Sequence, residues 1–361
     1  MTRSEVLTRL LQDTGFAEAQ RLPLAGDAST RRYERLVLPD RRAVLMDAPP
    51  SAESAPCPPG ATPAERRAMG WNATARLAAS RVEAFVAVAE HLRTIGLGAP
   101  EIYGADLQAG YAVIEDLGDG LYVRVIADGG DEIALYEEAA RVLAHAHRAP
   151  VPGKLQAPGG ASWPLLDYDA LALEVNADLF VDWMPRAEPD IRVDDAARAR
   201  WERIRDALIV KTMGFPRAFT IRDYHAENLL WLPERQGVAR VGLLDFQDAV
   251  RGWRAWDFTM LLDDARRDVS PAAREAAVRA YLEASGGEAA AFERELAVLG
   301  ALNSMRILGR FAQLTHEGKS KYAAFMPRMW GHLARALRHP ALDEAQAFVA
   351  DIARPHLETA A

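Results

Sequence analysis

Between Ile221 and Asp248 the chain carries three oxygen-bearing side chains whose types and spacing suit phosphoryl transfer. Asp223 lies in Ile221-Arg-Asp-Tyr-His-Ala-Glu-Asn228, and Asn228 follows it by five. Asp245 ends the apolar run that starts at Val241, in Val241-Gly-Leu-Leu-Asp245-Phe-Gln-Asp248. An acceptor hydroxyl needs a base or positioning group, and a loop aspartate can take its proton. Phosphate oxygens need a divalent cation such as Mg²⁺, which prefers hard ligands like the Asn228 carbonyl and the Asp245 carboxylate. The apolar runs Leu229–Leu232 and Val241–Leu244, with the polar turn Pro233–Gly237 between them, predict a hairpin. A hairpin brings the three groups to one point. The spacing D-x-x-x-x-N is by itself a weak signal; its position before one strand and beside a second that ends in Asp-Phe gives it force.

This order resembles the catalytic loop and metal-binding aspartate of protein-kinase-like phosphotransferases, and more narrowly the aminoglycoside phosphotransferase family. The resemblance implies a two-lobed α+β protein-kinase-like fold, a small β-rich lobe over residues 1–115 and a larger helical lobe over 116–361. It implies ATP and Mg²⁺ as cofactors, Asp223 as the catalytic residue, and Asn228 and Asp245 as metal ligands. One departure stands out. The family usually has His-Gly before the aspartate, whereas Ile221-Arg222 stand here. His225 falls where the family often has a loop-bracing histidine, and a structural role is expected for it.

Composition sets the outer bounds. The chain has 361 residues, half of them hydrophobic, enough for two lobes with a sizeable core. A net charge of −8 argues against nucleic-acid binding, which needs a basic face. The single cysteine, Cys57, excludes an intrachain disulfide, and its flanking Pro56 and Pro58 suggest an exposed loop thiol. The N-terminal Met1-Thr-Arg-Ser-Glu lacks an apolar signal segment, and no apolar run approaches the ~18 residues of a membrane span. A cytoplasmic protein without membrane contact is expected, and a monomer.

Ahead of the catalytic loop, apolar spacing predicts helices over 4–13, from about 82 to 95, over 132–148 and over 198–211. Tyr33–Leu38 and Ala43–Met46 alternate as strands. The segment Gly26-Asp27-Ala28-Ser29-Thr30-Arg31-Arg32 before them occupies the place of a phosphate-covering loop, so Asp27, Ser29, Thr30 and Arg32 are candidate nucleotide contacts. Residues 47–70 read as a loop, and Pro150–Pro164 as a linker. Tyr111-Ala-Val-Ile-Glu115-Asp-Leu117-Gly118 reads as a strand entering the lobe connection, with Glu115 and Leu117 beside adenine. Lysine occurs only at 154, 211, 319 and 321. The strand lysine that grips phosphates in protein kinases is therefore missing, and Met46 ends that strand. Arg31, Arg32 or Arg35 could carry its charge, or the metal and backbone amides could. With the lysine gone, Glu83 and Glu90 on the second helix are expected to be surface charges.

Acceptor contacts are expected on two helices. Glu174 and Asp178 lie four apart on one face, and Asn303, Arg306 and Arg310 share another. The latter set either binds an anionic or sugar group or salt-bridges to Glu174 or Asp248. His145 and His147 are expected to pack, and Asp257 to hold the catalytic loop by hydrogen bonds. Several stretches together narrow the resemblance: Gly26–Tyr33, Val44–Pro50, Leu117–Asp119, Asn303–Phe311 and Tyr322–Arg328. They look like those of the anomeric amino-sugar kinases of bacterial cell-wall recycling, which phosphorylate N-acetylmuramate and N-acetylglucosamine at the C1 hydroxyl. That implies a small-molecule amino sugar and ATP as partners. A kinase of another small alcohol (aminoglycoside, choline or homoserine) and a nucleotide-binding pseudokinase scaffold are the alternatives.

Overall fold

The computed structural model describes every residue except 25–30, 51–56, 59, 71–80, 158–159, 161 and 361. The N-terminal part comprises α1 (Arg3–Asp13), β1 (Gln20–Pro23), β2 (Arg32–Val37), β3 (Arg42–Asp47), α2 (Pro63–Met69), α3 (Val82–Thr94), β4 (Ile102–Asp106) and β5 (Tyr111–Glu115). Its five strands form one antiparallel sheet in the order β1-β2-β3-β5-β4. The register sets Tyr33 opposite Met46, Arg35 opposite Val44, and Val44 opposite Ile114. Directly opposed residues point the same way. Tyr33, Arg35, Val44, Met46 and Ile114 therefore share one face, and Leu36, Ala43, Leu45 and Val113 the other. Helix α1 seals the second face with Leu10 and Leu11. Met46 and Ile114 join the main core with α3. That helix forms because Val82, Phe85, Val86, Ala89 and Leu92 recur at three- and four-residue spacing, and all five are buried.

The remainder is mostly helical: α4 (Tyr122–Ala127), α5 (Glu132–Arg148), β6 (Lys154–Gln156), β7 (Ser162–Pro164), α6 (Ala170–Ala187), α7 (Asp195–Met213), β8 (Arg217–Thr220), β9 (Leu229–Trp231), β10 (Val241–Leu243), β11 (Val250–Trp253), α8 (Arg254–Leu262), α9 (Pro271–Ser285), α10 (Ala289–His316), α11 (Met326–Leu337) and α12 (Asp343–Ala360). The starts of α5, α6 and α7 are capped by Asp131, Asp169 and Asp194, which accept from backbone N–H groups three residues on. Two short ladders carry the catalytic region. β9 pairs with β10, and β8 with β11.

Three sequence expectations change. Residues 47–70 are not all loop, because α2 occupies Pro63–Met69. Its Thr62–Glu65 capping box starts it, and Arg66 and Arg67 pair with Asp169 and Glu174 of the helical part. The linker Pro150–Pro164 contains the β6–β7 hairpin. Cys57 is buried rather than an exposed thiol, and burial raises its pKa.

Helices α6 and α10 cross at Gly309. A Cβ there would sit 2.2 Å from the Leu179 carbonyl carbon and 2.5 Å from the Phe180 nitrogen, both backbone atoms. Alanine favours a helix interior over glycine by about 1 kcal/mol. Overpacking against an immovable backbone costs about 1–3 kcal/mol. Gly309→Ala should therefore lower stability in urea unfolding, and an unchanged or raised midpoint would show that the two helices can part freely.

Candidate active site

The catalytic loop runs from β8 to β9, and its backbone is bent at Arg222, which has φ 79°. Asp257, at the start of α8 and without solvent exposure, holds it there. Its two oxygens accept from the Ile221 and Arg222 N–H groups, each at 2.8 Å. The β8–β11 ladder is the reason for this fit, since β8 leads into the loop and β11 leads into α8. His147 lies 3.5 Å from Asp257 and contacts the Tyr281 hydroxyl, while His145 contacts the Ile95 carbonyl. Both histidines pack, as their spacing suggests.

The second fixed feature is the hairpin end. The Asn228 carbonyl accepts from Leu244 N–H at 2.9 Å, which extends the β9–β10 ladder and sets Asn228 beside Asp245. The Asn228 side-chain nitrogen donates to the Asp223 carbonyl at 2.9 Å and to His225 Nε2 at 3.2 Å. Its Oδ1 has no protein partner among the described residues. Asp245 Oδ1 accepts from Arg31 at 2.7 Å and Gln247 at 2.9 Å, leaving Oδ2 free. Two hard oxygens on residues that line the same cleft are thus left without partners among the described residues, a donor set whose chemistry fits a Mg²⁺-type cation. Burial pushes the Asp245 carboxyl up, but the Arg31 charge and the hydrogen bonds from Gln247 and Arg31 outweigh it and hold the pKa below the ordinary range. Among the described residues, Arg222 and Asp245 are the two non-glycine positions with positive φ. Each such position costs about 1–3 kcal/mol, and such strain clusters at functional sites.

Two cavities meet at this loop. A cleft of about 340 Å³ between the sheet and the helical part is walled by Val44 and Ile114 above, Leu230 and Leu244 below, and Glu115–Gly118 at the lobe connection. Asn228, Asp245, Arg31 and Arg35 also line it. Phe85 of α3 stacks on Phe246 at 4.8 Å, locking the residue after Asp245 against the small lobe. A second cavity of about 180 Å³ is lined by Asp223, His225, Asp264, Arg266, Arg306 and Arg310, among others. The loop therefore presents Asn228 to one cavity and Asp223 to the other.

Not every expected contact lies in these cavities. Asp27, Ser29 and Thr30 lie outside the described residues. Arg32 is exposed and does not line the cleft, whereas its neighbour Arg31 is buried there. Glu115 and Leu117 line the cleft as expected, although the Glu115 side chain is tied to Arg235. Glu174 is spent on Arg67 and Asp178 on Arg205 and Trp201, and neither lines either cavity. Their carboxylates fasten α6 to α2 and α7. Asn303 is buried and braces Arg306, whose Nε and Nη2 donate to its Oδ1 at 3.0 and 2.9 Å. Arg306 and Arg310 do line the cavity. Glu83 pairs with Arg81, and Glu90 has no ion pair among the described residues. Asp264 was missed, because its surroundings in Asp263-Asp264-Ala265-Arg266 read as a polar helix end. It is buried, its Oδ2 has no hydrogen-bond partner, and its backbone carbonyl is held by His332.

A cleft between a five-stranded antiparallel sheet and a helical lobe, with a bent catalytic loop at its floor, is the architecture of a protein-kinase-like phosphotransferase. The chain belongs to the phosphotransferase enzyme family, whose sequence model matches residues 21–296. It is 51% identical over 348 residues to the N-acetylmuramate/N-acetylglucosamine kinase of Caulobacter vibrioides, covering 96% of this chain and 95% of that protein. The enzyme of the same name from Pseudomonas aeruginosa is 30% identical over 358 residues, covering 96% and 93%. In fold, a choline/ethanolamine kinase family protein from Mesorhizobium loti matches with a TM-score of 0.55 over 97% of this chain and 99% of that one, at 15% identity. Family membership implies ATP as phosphoryl donor and a divalent cation, and it favours an enzyme over a scaffold.

Asp248 offers a pH test of the site's electrostatics. Burial raises its pKa to about 7, with Arg222 opposing and the Asp223 and Asp245 charges adding to the rise. The folded chain takes up this proton near neutrality, the unfolded chain only near pH ~4. The group's contribution is therefore fully present below about pH 4 and lost as the pH rises through about 7. Relative to the parent, Asp248→Asn should be more stable at pH 8 than at pH 5 by thermal unfolding. A difference independent of pH would contradict the buried-carboxylate account.

Proposed function

We propose that this enzyme uses ATP and Mg²⁺ to phosphorylate the C1 hydroxyl of N-acetylmuramate and N-acetylglucosamine, giving sugar 1-phosphates for peptidoglycan recycling. The 51% identity to a kinase of that name across nearly the whole chain supports this most directly. Residues 1–115 form the lobe that covers the nucleotide, and 116–361 the lobe that holds the catalytic groups and the sugar. The site is cytoplasmic and the enzyme acts as a monomer; among the described residues no helix is long and apolar enough to cross a membrane.

The geometry supports the following roles. Adenine lies between Val44 and Ile114 on one side and Leu230 and Leu244 on the other, with the Glu115–Leu117 backbone at its edge. Asn228 and Asp245 would hold the cation, which when bound would neutralise charge on the phosphate oxygens. Asp223 faces the acceptor cavity, orients the C1 hydroxyl and takes its proton. Its carboxylate makes no hydrogen bond within the described residues, so it is available to a ligand.

Arg306 supports an anionic acceptor. Its guanidinium has no carboxylate within ion-pair distance among the described residues; it rests on Asn303 and the Trp256 ring, 5.6 Å away. Burial lowers its pKa, Tyr168 opposes, and the Arg222 charge adds to the drop. Arginine nonetheless stays charged at neutral pH. A half-buried cation without an ion pair is costly, and the lactyl carboxylate of muramate would relieve it. The same arginine disfavours a cationic alcohol such as choline. Asp264 would accept from a sugar hydroxyl or amide.

Sugar-dependent ADP release from a panel of amino sugars, aminoglycosides, choline and homoserine tests the assignment. Turnover should appear with the two amino sugars, and Asp223→Asn should lower kcat by about 10²–10⁴. Arg306→Ala removes a charge-assisted contact of about 1.5–3 kcal/mol, so muramate should lose about tenfold or more in kcat/KM beyond glucosamine. Equal losses for both sugars would detach Arg306 from the carboxylate.

A further inference from the structure

We propose that Arg31, the residue just before β2, replaces the missing strand lysine as the group that grips the nucleotide phosphates, and that Asp245 holds it in store until nucleotide and cation arrive. This rests on the kinase reading above and adds a residue and an order of events to it.

Three arginines are close enough in sequence to carry that charge, and their surroundings separate them. Arg32 is exposed and outside the cleft. Arg35 lines the cleft but is committed. Its Nε lies 2.8 Å from Asp116 and its Nη2 2.9 Å from Asp119. Freeing it would leave the Asp116 carboxylate, whose side chain is only 3% exposed, with the more distant Arg42 at 3.6 Å as its remaining ion pair among the described residues. Arg31 is also in the cleft, with its side chain 8% exposed. Among the described residues it makes one hydrogen bond, from Nη2 to Asp245 Oδ1 at 2.7 Å, and its Nε and Nη1 are buried without a partner. A buried guanidinium leaving two donor nitrogens unpaired is unusual, because each unpaired buried donor costs about 1–3 kcal/mol. Nucleotide phosphate oxygens would satisfy those donors, and the planar fork suits them.

The partner of Arg31 carries the second half of the inference. Asp245 is the carboxylate beside Asn228 Oδ1, where the cation fits. Without a cation, Arg31 supplies the positive charge that this half-buried carboxylate needs. A divalent cation on Asp245 takes over that task and repels the guanidinium, while the phosphates attract it. The arginine needs to move only from the carboxylate to the phosphates beside it. Cation and nucleotide therefore favour each other's binding, since each removes a partner from Arg31 or provides one. A lysine on β3 would have no such tie, and Met46 at that place is buried in the core.

The test is calorimetry on the full chain with ADP, AMP and Mg²⁺ as probes, using Arg31→Met and Arg31→Lys. The parent should bind ADP with Mg²⁺ more tightly than AMP. Arg31→Met should lose at least tenfold in ADP affinity and keep its AMP affinity, which also shows that the adenosine part of the cleft is folded. The same variant should bind Mg²⁺ alone more tightly than the parent, because Asp245 is released. Arg31→Lys should recover part of the ADP affinity. Equal losses for ADP and AMP, or an unchanged ratio between them, would overturn the phosphate role. Weaker Mg²⁺ binding in Arg31→Met would overturn the storage on Asp245. A parent that does not prefer ADP over AMP would instead sink the kinase reading itself.

Discussion

The site depends on one buried carboxylate. Asp257 has no solvent exposure and places both of its oxygens on consecutive backbone N–H groups of the catalytic loop. Those two bonds hold Arg222 in a left-handed conformation that a side-chain-bearing residue avoids. The bend turns Asp223 toward the acceptor cavity while the chain returns through His225 and Asn228 to the hairpin. A charge-assisted pair of this kind in a dry site offsets the strain it imposes. The β8–β11 ladder delivers both partners, and Gly252 is part of the fit. A Cβ there would lie 2.6 Å from Thr220 Oγ1.

From that bend the charges sort themselves. Asp223, Asp245 and Asp248 lie close enough to act on one another's charge, and Arg222 and Arg31 balance them. Arg222 lies 3.8 Å from Asp248 and Arg31 2.7 Å from Asp245. The balance is incomplete at Asp248, where burial, with the Asp223 and Asp245 charges adding to it, raises the pKa against the pull of Arg222 and Arg31. Arg222, Arg31 and Asp248 all keep buried polar atoms without hydrogen-bond partners. Such groups are tolerated where a ligand completes them. On the proposed reading, nucleotide, cation and acceptor would together satisfy these charges.

Much of this was legible beforehand, for local reasons. Asp223, Asn228 and Asp245 stand out because a hairpin closes over a short turn, so sequence spacing is almost spatial spacing. The amphipathic helices α1, α3, α5 and α7 announce themselves by apolar period. Helix α2 did not, because Pro and Ala dominate its neighbourhood, although the Thr62-Pro-Ala-Glu65 capping box was a usable signal. Glu174 and Asp178 misled for another reason. Carboxylates on one helix face say nothing about which arginine from another element reaches them first, and here Arg67 and Arg205 do.

The amino-acid order alone therefore determined the chemistry, the lobe boundary to be proposed and the absence of a phosphate-gripping lysine, because these rest on residue type and on contacts within a few tens of residues. The difference between Arg31 and Arg32 was left to tertiary packing, which buries Arg31 in the cleft just ahead of β2 and leaves Arg32, the first residue of that strand, exposed. The acceptor cavity was likewise a tertiary decision. It joins Asp223, Asp264 and Arg306, which are far apart in the chain, and only the packing of α8 and α10 around the bent loop brings their charges within reach of one another.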